Sequence, residues 1–372
     1  MNFNRFFELI KSIDQPEKTF LSVSFGCRVN AAEVNQLSQI LIASGFKPTE
    51  TNPDIILINT CSITKKGDIE SLSRARVLNQ QYPSALIFVT GCANLEKLEN
   101  LKNVYTFDNK NKEEILVDLN CSYSPAIKDK FSHTNRYLLK VQSGCTHFCS
   151  YCTVPFKRKY LWSLDLEKAV DTVQKAIGDS YKEIIITGVN LDQYKFGLSN
   201  LVEKLLNETT IELVSFGSIP INCIDDKLIS FFENRAFSSR LSHFLHIPIQ
   251  SGSDKILKLM NRPYDSQKIL ETFNKLKKIS LVKGPQILEG ERNGKAERDL
   301  FFGTDIIVGF PTETDEDFQS TKEICETIGF QKIHCFQYSS RPNTLAKIYY
   351  ESNPIIKKEI IVDRSRQIRN LV

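Results

Sequence analysis

Short runs of apolar residues alternate with helix-like segments in the first third of the chain. The runs are 21–25, 55–58 (Ile-Ile-Leu-Ile) and 86–89 (Leu-Ile-Phe-Val). Between the first two runs, apolar residues recur at helical spacing until Gly45, which is placed to end the helix. These apolar positions are Val34, Leu37, Ile40 and Leu41. Near-continuous apolar strands separated by helices predict an open parallel sheet covered on both faces.

From about residue 136 a second alternating region runs to the end of the sequence. Its helical segments include one with Val170, Val173 and Ile177 before Gly178, and one with Phe318, Ile324, Cys325 and Ile328. The strand candidates are 138–142, 183–187, 211–215, 244–249, 304–309 and 332–338. Six strands with interleaved helices predict an α/β fold with a parallel (β/α)6 barrel, incomplete because eight units are not present.

The length favours two domains, since 372 residues exceed one average domain. We expect an N-terminal domain at 17–130 and a second domain at 131–372. The segment 108–135 has weak periodicity and is interpreted as the end of the first domain plus a linker. The charged, glycine-containing segment 282–300 is interpreted as an exposed insertion.

The composition is that of an ordinary globular protein, with 41% hydrophobic and 25% charged residues. No apolar run approaches the roughly eighteen residues of a membrane span, and the first twenty residues carry no secretory h-region. We therefore expect a cytoplasmic protein without membrane contact. A net charge of +4 permits RNA binding without arguing for it.

Three cysteines, Cys145, Cys149 and Cys152, form a CxxxCxxC triplet just after the strand candidate 138–142. Three thiolates this close can hold three irons of a 4Fe-4S cube and leave the fourth iron open. A structural zinc site normally needs four ligands, so an incomplete triplet favours a cluster that binds a further molecule, and we expect this molecule to be S-adenosylmethionine. The alternatives are a zinc site completed by His147 and cysteines packed in a core.

A second trio of cysteines follows three different strands of the first region. Cys27, Cys61 and Cys92 each lie just past the carboxyl end of a predicted strand. Ligands bind at that edge of open α/β sheets, so the three thiols should converge there. The alternative is three unrelated buried cysteines.

Ordered motifs along nearly the whole chain resemble one family. They are 25–30 (Phe-Gly-Cys-Arg-Val-Asn), 59–64 (Asn-Thr-Cys-Ser-Ile-Thr), 89–92 (Val-Thr-Gly-Cys), the triplet, 246–253 (His-Ile-Pro-Ile-Gln-Ser-Gly-Ser), 305–311 (Asp-Ile-Ile-Val-Gly-Phe-Pro) and 338–342 (Tyr-Ser-Ser-Arg-Pro). The chain is identified by them as a member of the radical S-adenosylmethionine methylthiotransferases.

Two segments bear on the branch of that family. The segments 187–191 (Thr-Gly-Val-Asn-Leu) and 26–30 (Gly-Cys-Arg-Val-Asn) look most like the branch that modifies N6-threonylcarbamoyladenosine in transfer RNA. Sister branches act on isopentenyladenosine or on a ribosomal-protein aspartate. A rival of another class is a non-catalytic iron-sulfur or zinc protein that binds RNA.

The resemblance implies two 4Fe-4S clusters, one on each cysteine trio, with S-adenosylmethionine as cofactor. The cluster on the CxxxCxxC triplet would generate the radical, and the cluster on Cys27, Cys61 and Cys92 would deliver the sulfur. Gly188, Gln250 and Ser251 are candidates to contact S-adenosylmethionine, although plain turns explain them equally well. No further catalytic residue is assigned.

The remaining histidines and cysteines give weaker signals. His243 and His246 flank one strand candidate, where a hydrogen-bonded structural histidine is the commoner case. Four cysteines without partners at ligand spacing are expected to be small buried hydrophobes. They are Cys121, Cys223, Cys325 and Cys335.

Basic residues near both trios suggest how transfer RNA would be held. Positive charge at 157–159 (Lys-Arg-Lys), Lys65, Lys66, Arg74 and Arg76 would suit a phosphate backbone, although such residues are more often solvated faces. The electron donor and the sulfur source would come from outside the chain.

Two departures from the family pattern stand out. Most relatives end in a small all-β RNA-binding module, and this sequence stops after the basic helix-like stretch 357–371, so we expect the module to be absent and a helper protein to be a candidate partner. The segment 311–314 (Pro-Thr-Glu-Thr) has threonine where relatives usually carry glycine. This turn cannot rely on glycine's left-handed conformations, and we expect altered local geometry there.

Overall fold

The computed structural model of the chain describes residues 3–62, 65–118, 136–279, 300–353 and 355–372. Two compact units emerge from its contacts. The first comprises Met1–Cys145 and Val154–Val189, and the second comprises Thr146–Thr153 and Asn190–Val372. The predicted insertion at 282–300 falls, apart from its last residue, outside the described ranges, and so does Cys121.

The first unit begins with a fully parallel five-stranded sheet in the order β2-β1-β3-β4-β5. Its strands are β1 (Lys18–Ser24), β2 (Phe46–Pro48), β3 (Ile55–Thr60), β4 (Leu86–Gly91) and β5 (Val104–Thr106). The strands at the three apolar runs are confirmed. The short edge strands β2 and β5 were not predicted, because three residues carry no readable period.

Helices cover both faces of this sheet. They are α1 (Phe3–Lys11), α2 (Arg28–Ala43), α3 (Lys65–Gln81) and α4 (Asn109–Asp118). One core joins α1, α2 and α4 to the sheet, and another joins α3 to the opposite face. The helix before Gly45 is confirmed as α2, and Gly45 has a φ of +88°.

Two helices were not predicted from the sequence. The predicted domain begins at residue 17, but Phe6 of α1 is fully buried, with its ring centroid 4.9 Å from that of Phe88. The segment 108–135, interpreted as the end of the first domain plus a linker, begins with helix α4 at 109–118, in which Lys112 and Glu113 are buried. Their charges hid the helix, since buried polar positions do not mark an apolar face.

The first unit continues with a smaller strand group. It contains β6 (Arg136–Ser143), α5 (Val154–Lys157), β7 (Trp162–Ser163), α6 (Leu166–Gly178) and β8 (Glu183–Gly188). β6 pairs with β8 in parallel and with β7 antiparallel. Asp165 caps α6 by accepting the Glu167 N–H, so the predicted helix ending at Gly178 is confirmed.

The second unit carries the other four predicted strands. They are β9 (Leu213–Phe216), β10 (Phe244–His246), β11 (Phe301–Val308) and β12 (Lys332–Gln337). The last three form a parallel sheet in the order β10-β11-β12. β10 ends three residues earlier than predicted, although the chain beyond it still bonds to β11, as when the Gln250 N–H donates to the Asp305 carbonyl.

Eight helices of this unit have described bounds. They are α7 (Leu198–Glu208), α8 (Asp226–Glu233), α9 (Arg235–Ser238), α10 (Asp254–Leu259), α11 (Ser266–Lys277), α12 (Asp315–Ile328), α13 (Leu345–Ser352) and α14 (Lys358–Arg369). Across the described ranges, no helix combines the length and apolarity required to cross a membrane.

The two faces of the β10-β11-β12 sheet differ in character. Helices pack against one face, where the Phe302 ring meets the Phe273 ring edge-on at 5.1 Å. The opposite face, to which the other alternate residues of the three strands point, is more exposed. It carries Phe244, His246, Asp305, Ile307, His334 and Phe336.

The turn before α12 corrects the expectation for 311–314. Thr312 has a φ of +71°, so a β-branched residue adopts the left-handed conformation that glycine would favour. Its buried hydroxyl has no hydrogen-bond partner among the described residues. Surrounding bonds fix the turn, including Lys255 Nζ to the Thr312 carbonyl at 2.9 Å and the capping box of Thr314 and Asp317.

Candidate active site

The structure places Cys27, Cys61 and Cys92 at the carboxyl edge of the five-stranded sheet. Each follows its strand by one to three residues, and β1, β3 and β4 are neighbours in the strand order. Cys61 and Cys92 are buried, whereas Cys27 keeps an exposed side. β1 and β3 are adjacent while the connection between them passes over β2, which is the kind of sheet edge where open α/β folds bind ligands.

Gly26 allows two of these cysteines to come together. Its φ is +90°, and a β-carbon built at this position would lie 2.5 Å from Cys61 Sγ. The Cys61 sulfur therefore packs directly against the backbone beside Cys27. A side chain at position 26 would fill the space that the sulfur occupies.

A network of buried charges lies behind this edge, in the first unit. Glu33 binds Arg158 through both carboxylate oxygens, at 2.6 and 2.9 Å. Lys112 and Lys140 reach the same carboxylate at 2.6 and 3.0 Å, and Lys140 also binds Glu113 at 2.7 Å. Three cations face two carboxylates, so the network carries an excess of one positive charge.

The predicted basic rim is wrong for Arg158. The sequence places it between Lys157 and Lys159, which are exposed, but its own guanidinium is buried against Glu33. Burial raises the pKa of Glu33, yet Arg158, Lys112 and Lys140 outweigh that effect and keep the pKa well below its usual range. Arg158 is therefore an internal ion-pair partner and not a phosphate contact.

Two asparagines connect the network to the cysteines. Asn30 accepts a hydrogen bond from Arg158 Nη2 at 2.9 Å, and its Oδ1 lies 3.8 Å from Cys27 Sγ. Asn109 accepts from Lys112 Nζ at 2.7 Å, and its Nδ2 lies 3.9 Å from Cys92 Sγ. The cationic network thus ends on polar groups that contact two of the three thiols.

A cavity of about 660 Å³ in the first unit is lined in part by Gly91 and Ala93, the sequence neighbours of Cys92. Its wall includes Asn109 and Arg158, together with the exposed rings of Phe156 and Tyr160. Aromatic faces beside cationic groups suit a nucleobase, because every base offers a π-face for stacking.

The CxxxCxxC segment begins in the first unit with Cys145. Its N–H donates to the Arg158 carbonyl at 3.3 Å. The preceding Gly144 has a φ of +87°, and a β-carbon there would lie 2.2 Å from the Tyr160 carbonyl oxygen. Close backbone approach at Gly144 therefore sets where Cys145 leaves the end of β6.

Cys149 and Cys152 belong to the second unit. The Cys152 N–H donates to the Cys149 carbonyl at 2.9 Å, and Arg262 Nη1 donates to Cys149 Sγ at 3.3 Å. Arg262 is oriented by Tyr264, whose hydroxyl accepts from Arg262 Nε at 2.8 Å and donates to the Pro248 carbonyl at 3.1 Å. A charged donor is thus directed at the sulfur by its neighbours.

His147 is engaged away from the cysteines. Its Nε2 lies 3.2 Å from Asp192 Oδ2, and its Nδ1 lies 3.4 Å from Asn190 Nδ2. Both ring nitrogens therefore have partners other than sulfur, which disfavours a zinc site completed by His147. The contacts instead anchor the cysteine loop to the segment that follows β8.

The three predicted cofactor contacts lie at strand ends. Gly188 ends β8 opposite Gln142. Gln250 follows β10 with a φ of +68°, which is unusual for a residue other than glycine and is kept by backbone bonds to Asp305 and Ile307. The Ser251 hydroxyl is buried 3.1 Å from Thr321 Oγ1. Their role as cofactor contacts stays a prediction.

The polar group on the exposed face of the β10-β11-β12 sheet was not predicted from the sequence. Asp305 Oδ1 lies 3.1 Å from His246 Nε2 and 3.2 Å from His334 Nδ1. His243, by contrast, bonds the Ser238 carbonyl. Two-residue periodicity places alternate residues of each strand on one face, but only the register of β10, β11 and β12 shows that Asp305 and His334 share the face of His246.

Comparison with known proteins identifies the family. The Radical SAM superfamily profile matches residues 139–325, and the profile described as Uncharacterized protein family UPF0004 matches residues 19–109. A threonylcarbamoyladenosine tRNA methylthiotransferase of Chlamydia pneumoniae is 30% identical over 96% of this chain and 82% of its own length. This chain belongs to the radical SAM tRNA methylthiotransferases. The predicted family and enzyme class, tRNA methylthiolation by a radical SAM mechanism, are confirmed.

Other relatives of this methylthiotransferase carry two different substrate names. A threonylcarbamoyladenosine tRNA methylthiotransferase of Aquifex aeolicus is 30% identical over 94% of this chain and 86% of its own. A tRNA-2-methylthio-N(6)-dimethylallyladenosine synthase of Petrotoga mobilis is also 30% identical, over 94% of this chain and 82% of its own. Overall identity therefore does not separate the two branches.

Solved structures resemble the methylthiotransferase in fold. The radical S-adenosylmethionine methyltransferase TsrM from Kitasatospora setae aligns with a TM-score of 0.62 and 10% identity, over 89% of this chain and 77% of its own. The cobalamin-dependent radical enzyme OxsB aligns with a TM-score of 0.51 and 12% identity, over 98% and 57%. The predicted α/β fold, with an N-terminal open parallel sheet followed by a radical SAM fold, is thereby confirmed.

Proposed function

We propose that this enzyme adds a methylthio group to N6-threonylcarbamoyladenosine next to the anticodon of transfer RNA. The observation that carries the proposal is the position of Cys27, Cys61 and Cys92 at one sheet edge, separate in sequence from the CxxxCxxC triplet. Radical generation and sulfur delivery are different tasks, and two trios of soft ligands can divide them.

The N-terminal trio fits a 4Fe-4S cluster with an open iron. Three thiolates supply the soft ligands, and Gly26 leaves room for the Cys61 sulfur. A cluster with three thiolates is anionic, and the buried network behind it carries the compensating positive charge. Asn30 and Asn109 supply polar contacts around the ligand sulfurs, where they would tune the site.

The triplet Cys145, Cys149 and Cys152 fits a second cluster by its spacing along the chain. When bound, that cluster supplies an electron for reductive cleavage of S-adenosylmethionine. Arg262 donates a hydrogen bond to the Cys149 sulfur, and Asn261 fixes the loop by donating to the His147 carbonyl at 3.0 Å. Gly188, Gln250 and Ser251 lie at strand ends where S-adenosylmethionine contacts are expected.

The division of labour follows the predicted domains. Residues 17–130 would hold the sulfur-delivering site, and residues 131–372 would hold the radical-generating site. The reaction would take place in the cytoplasm, where transfer RNA is used. An electron donor, a sulfur source and a helper protein for RNA binding complete the proposed partners.

The branch assignment is supported by the 187–191 motif, which looks most like the branch that modifies N6-threonylcarbamoyladenosine. Asn190, part of the 187–191 motif, is paired with His147 of the cysteine loop, so this motif contributes to the order of the radical-generating segment. The curated relatives of Chlamydia pneumoniae and Aquifex aeolicus carry the same substrate name.

Nucleoside analysis tests the proposal. Transfer RNA from a strain that lacks this gene should contain N6-threonylcarbamoyladenosine without its methylthio derivative, and the gene should restore the derivative. Loss of methylthiolated isopentenyladenosine instead, or of a methylthiolated ribosomal-protein aspartate, would reject the substrate. Reconstituted protein that holds both clusters yet releases no 5'-deoxyadenosine with reductant and S-adenosylmethionine would favour a binding role.

A further inference from the structure

Three polar residues form a cluster on the exposed face of the β10-β11-β12 sheet. The Asp305 carboxylate accepts hydrogen bonds from His246 Nε2 and from His334 Nδ1, because an ionised carboxylate can only accept. The imidazole rings lie 5.3 Å apart between centroids, with a tilt of 38°. One carboxylate thus fixes two rings in one orientation.

The cluster is partly open to solvent. The side chains of His246, Asp305 and His334 are 10%, 24% and 49% exposed. Since His334 bonds Asp305 through Nδ1, its Nε2 lies on the outer side of the ring. A bound molecule can therefore reach a nitrogen whose ring is already oriented, which lowers the entropic cost of binding.

Aromatic surface borders the cluster on the side of the strand ends. Phe336 lies two residues beyond His334 on β12, is 41% exposed, and has its ring centroid 6.5 Å from that of His334. Its partner in the register is Ile307 on β11. From the strand ends inward, this face offers first a stacking surface and then hydrogen-bonding groups.

The radical-generating loop lies at the same strand ends within the second unit. Cys149 bonds Arg262, which is held by Tyr264, and Tyr264 bonds the Pro248 carbonyl just after β10. Asp305 precedes the end of β11 by three residues, or roughly 10 Å. The cluster is thus set back from the reaction end by a short distance.

We infer that His246, Asp305 and His334 bind the N6 substituent of the target adenosine and select the threonylcarbamoyl group over the isopentenyl group. This inference rests on the proposed function. The threonylcarbamoyl group extends the purine by about five bonds, or roughly 6 Å, and carries a ureido group, a hydroxyl and a carboxylate. A base held at the strand ends places that group on the cluster.

The discrimination follows from the cost of covering polar groups. The isopentenyl group has no donor or acceptor, so it would exclude water from His334 without replacing the lost hydrogen bonds. A site that bonds a polar substituent rejects an analogue without it far better than an apolar pocket rejects an extra polar group. Selection for the threonylcarbamoyl group should be at least about tenfold.

The experiment uses enzyme that holds both iron-sulfur clusters, together with three anticodon stem-loop RNAs. Their target adenosine carries the threonylcarbamoyl group, the isopentenyl group or no modification. His334→Phe and Asp305→Asn are compared with the parent and with His243→Asn, which removes a histidine outside the cluster. KM, kcat, iron content and RNA-free release of 5'-deoxyadenosine are measured for each.

In His334→Phe and in Asp305→Asn, the KM for the threonylcarbamoyl RNA should rise at least about tenfold. Their iron content and RNA-free release of 5'-deoxyadenosine should match the parent, and His243→Asn should match it throughout. An unchanged KM in both His334→Phe and Asp305→Asn would overturn the inference while leaving the proposed function intact. A parent that modifies only the isopentenyl RNA would overturn both.

A metal-ion role is the other chemistry that these three residues allow, since their ligand atoms lie within 4.8 Å of one another. Stoichiometric zinc in the parent that disappears in Asp305→Asn, measured by mass spectrometry of metals, would overturn the substrate contact. We expect no such zinc.

Discussion

Arg158 and Glu33 form a bidentate ion pair in the interior of the first unit, at 2.6 and 2.9 Å, although 125 positions separate them in the sequence. The pair connects helix α2 to the segment that follows the cysteine triplet. It brings residues from the predicted first and second domains into one buried network.

Arg158→Ala should destabilise the protein by about 3 to 5 kcal/mol, because it leaves Glu33 buried without its main partner. Urea unfolding of the cluster-free protein measures this change. Lys157→Ala, one residue away and exposed, should stay within about 0.5 kcal/mol of the parent. Equal effects of the two substitutions would mean that Arg158 lies at the surface.

Thr312→Gly should stabilise the protein by about 1 to 2 kcal/mol, because it removes a left-handed β-branched residue and an unpaired buried hydroxyl. Thermal and urea unfolding measure the gain. Thr314→Ala, two residues on, should instead cost about 1 kcal/mol, because Thr314 caps helix α12. A loss of stability in Thr312→Gly would contradict the strain.

Cys27→Ala and Cys145→Ala should each lose about four irons per chain, because each removes a ligand of a different cluster. Anaerobic purification with iron and sulfide assays measures the loss. Cys325→Ala serves as the control, since Cys325 is buried in α12 and burial raises its pKa to about 12. Iron lost from that control, or no loss from Cys27→Ala, would contradict the two-cluster assignment.

Arg262→Met should shift the reduction potential of the triplet's cluster to more negative values by roughly 60 mV, which corresponds to about 1.4 kcal/mol for one electron. The cationic donor at 3.3 Å from Cys149 Sγ favours the more negative, reduced state. Redox titration followed by electron paramagnetic resonance measures the shift. Lys255→Met removes a cation bonded to Thr312 and Asp317 and should leave the potential unchanged.

The strands could be predicted because strands that are buried on both faces consist of consecutive apolar residues, as at 55–58 and 86–89. The positions of Cys27, Cys61 and Cys92 could be predicted for the same reason, since each of these cysteines follows the end of a strand. Cys223, Cys325 and Cys335 are buried as expected. Thr312 shows the opposite case, in which neighbouring bonds override the local preference of the residue.

The buried charges could not be predicted from local sequence. Lys-Arg-Lys at 157–159 resembles a solvent-exposed run. The free-energy cost of burying Arg158 is offset mainly by its long-range partner Glu33. The helix at 109–118 was missed for a related reason, because its inward positions include Lys112 and Glu113. Asp305 and His334 needed the strand register, which pairs them directly.

The contact of Gly26 with the Cys61 sulfur limits how this chain can change over time. Every substitution at position 26 adds at least one carbon atom in the space that the Cys61 sulfur occupies. Displacement of that sulfur would disturb the ends of the neighbouring strands β1 and β3. Substitutions at position 26 are therefore excluded unless Cys61 is replaced as well. The residues around Gly26 can vary, but Gly26 itself cannot.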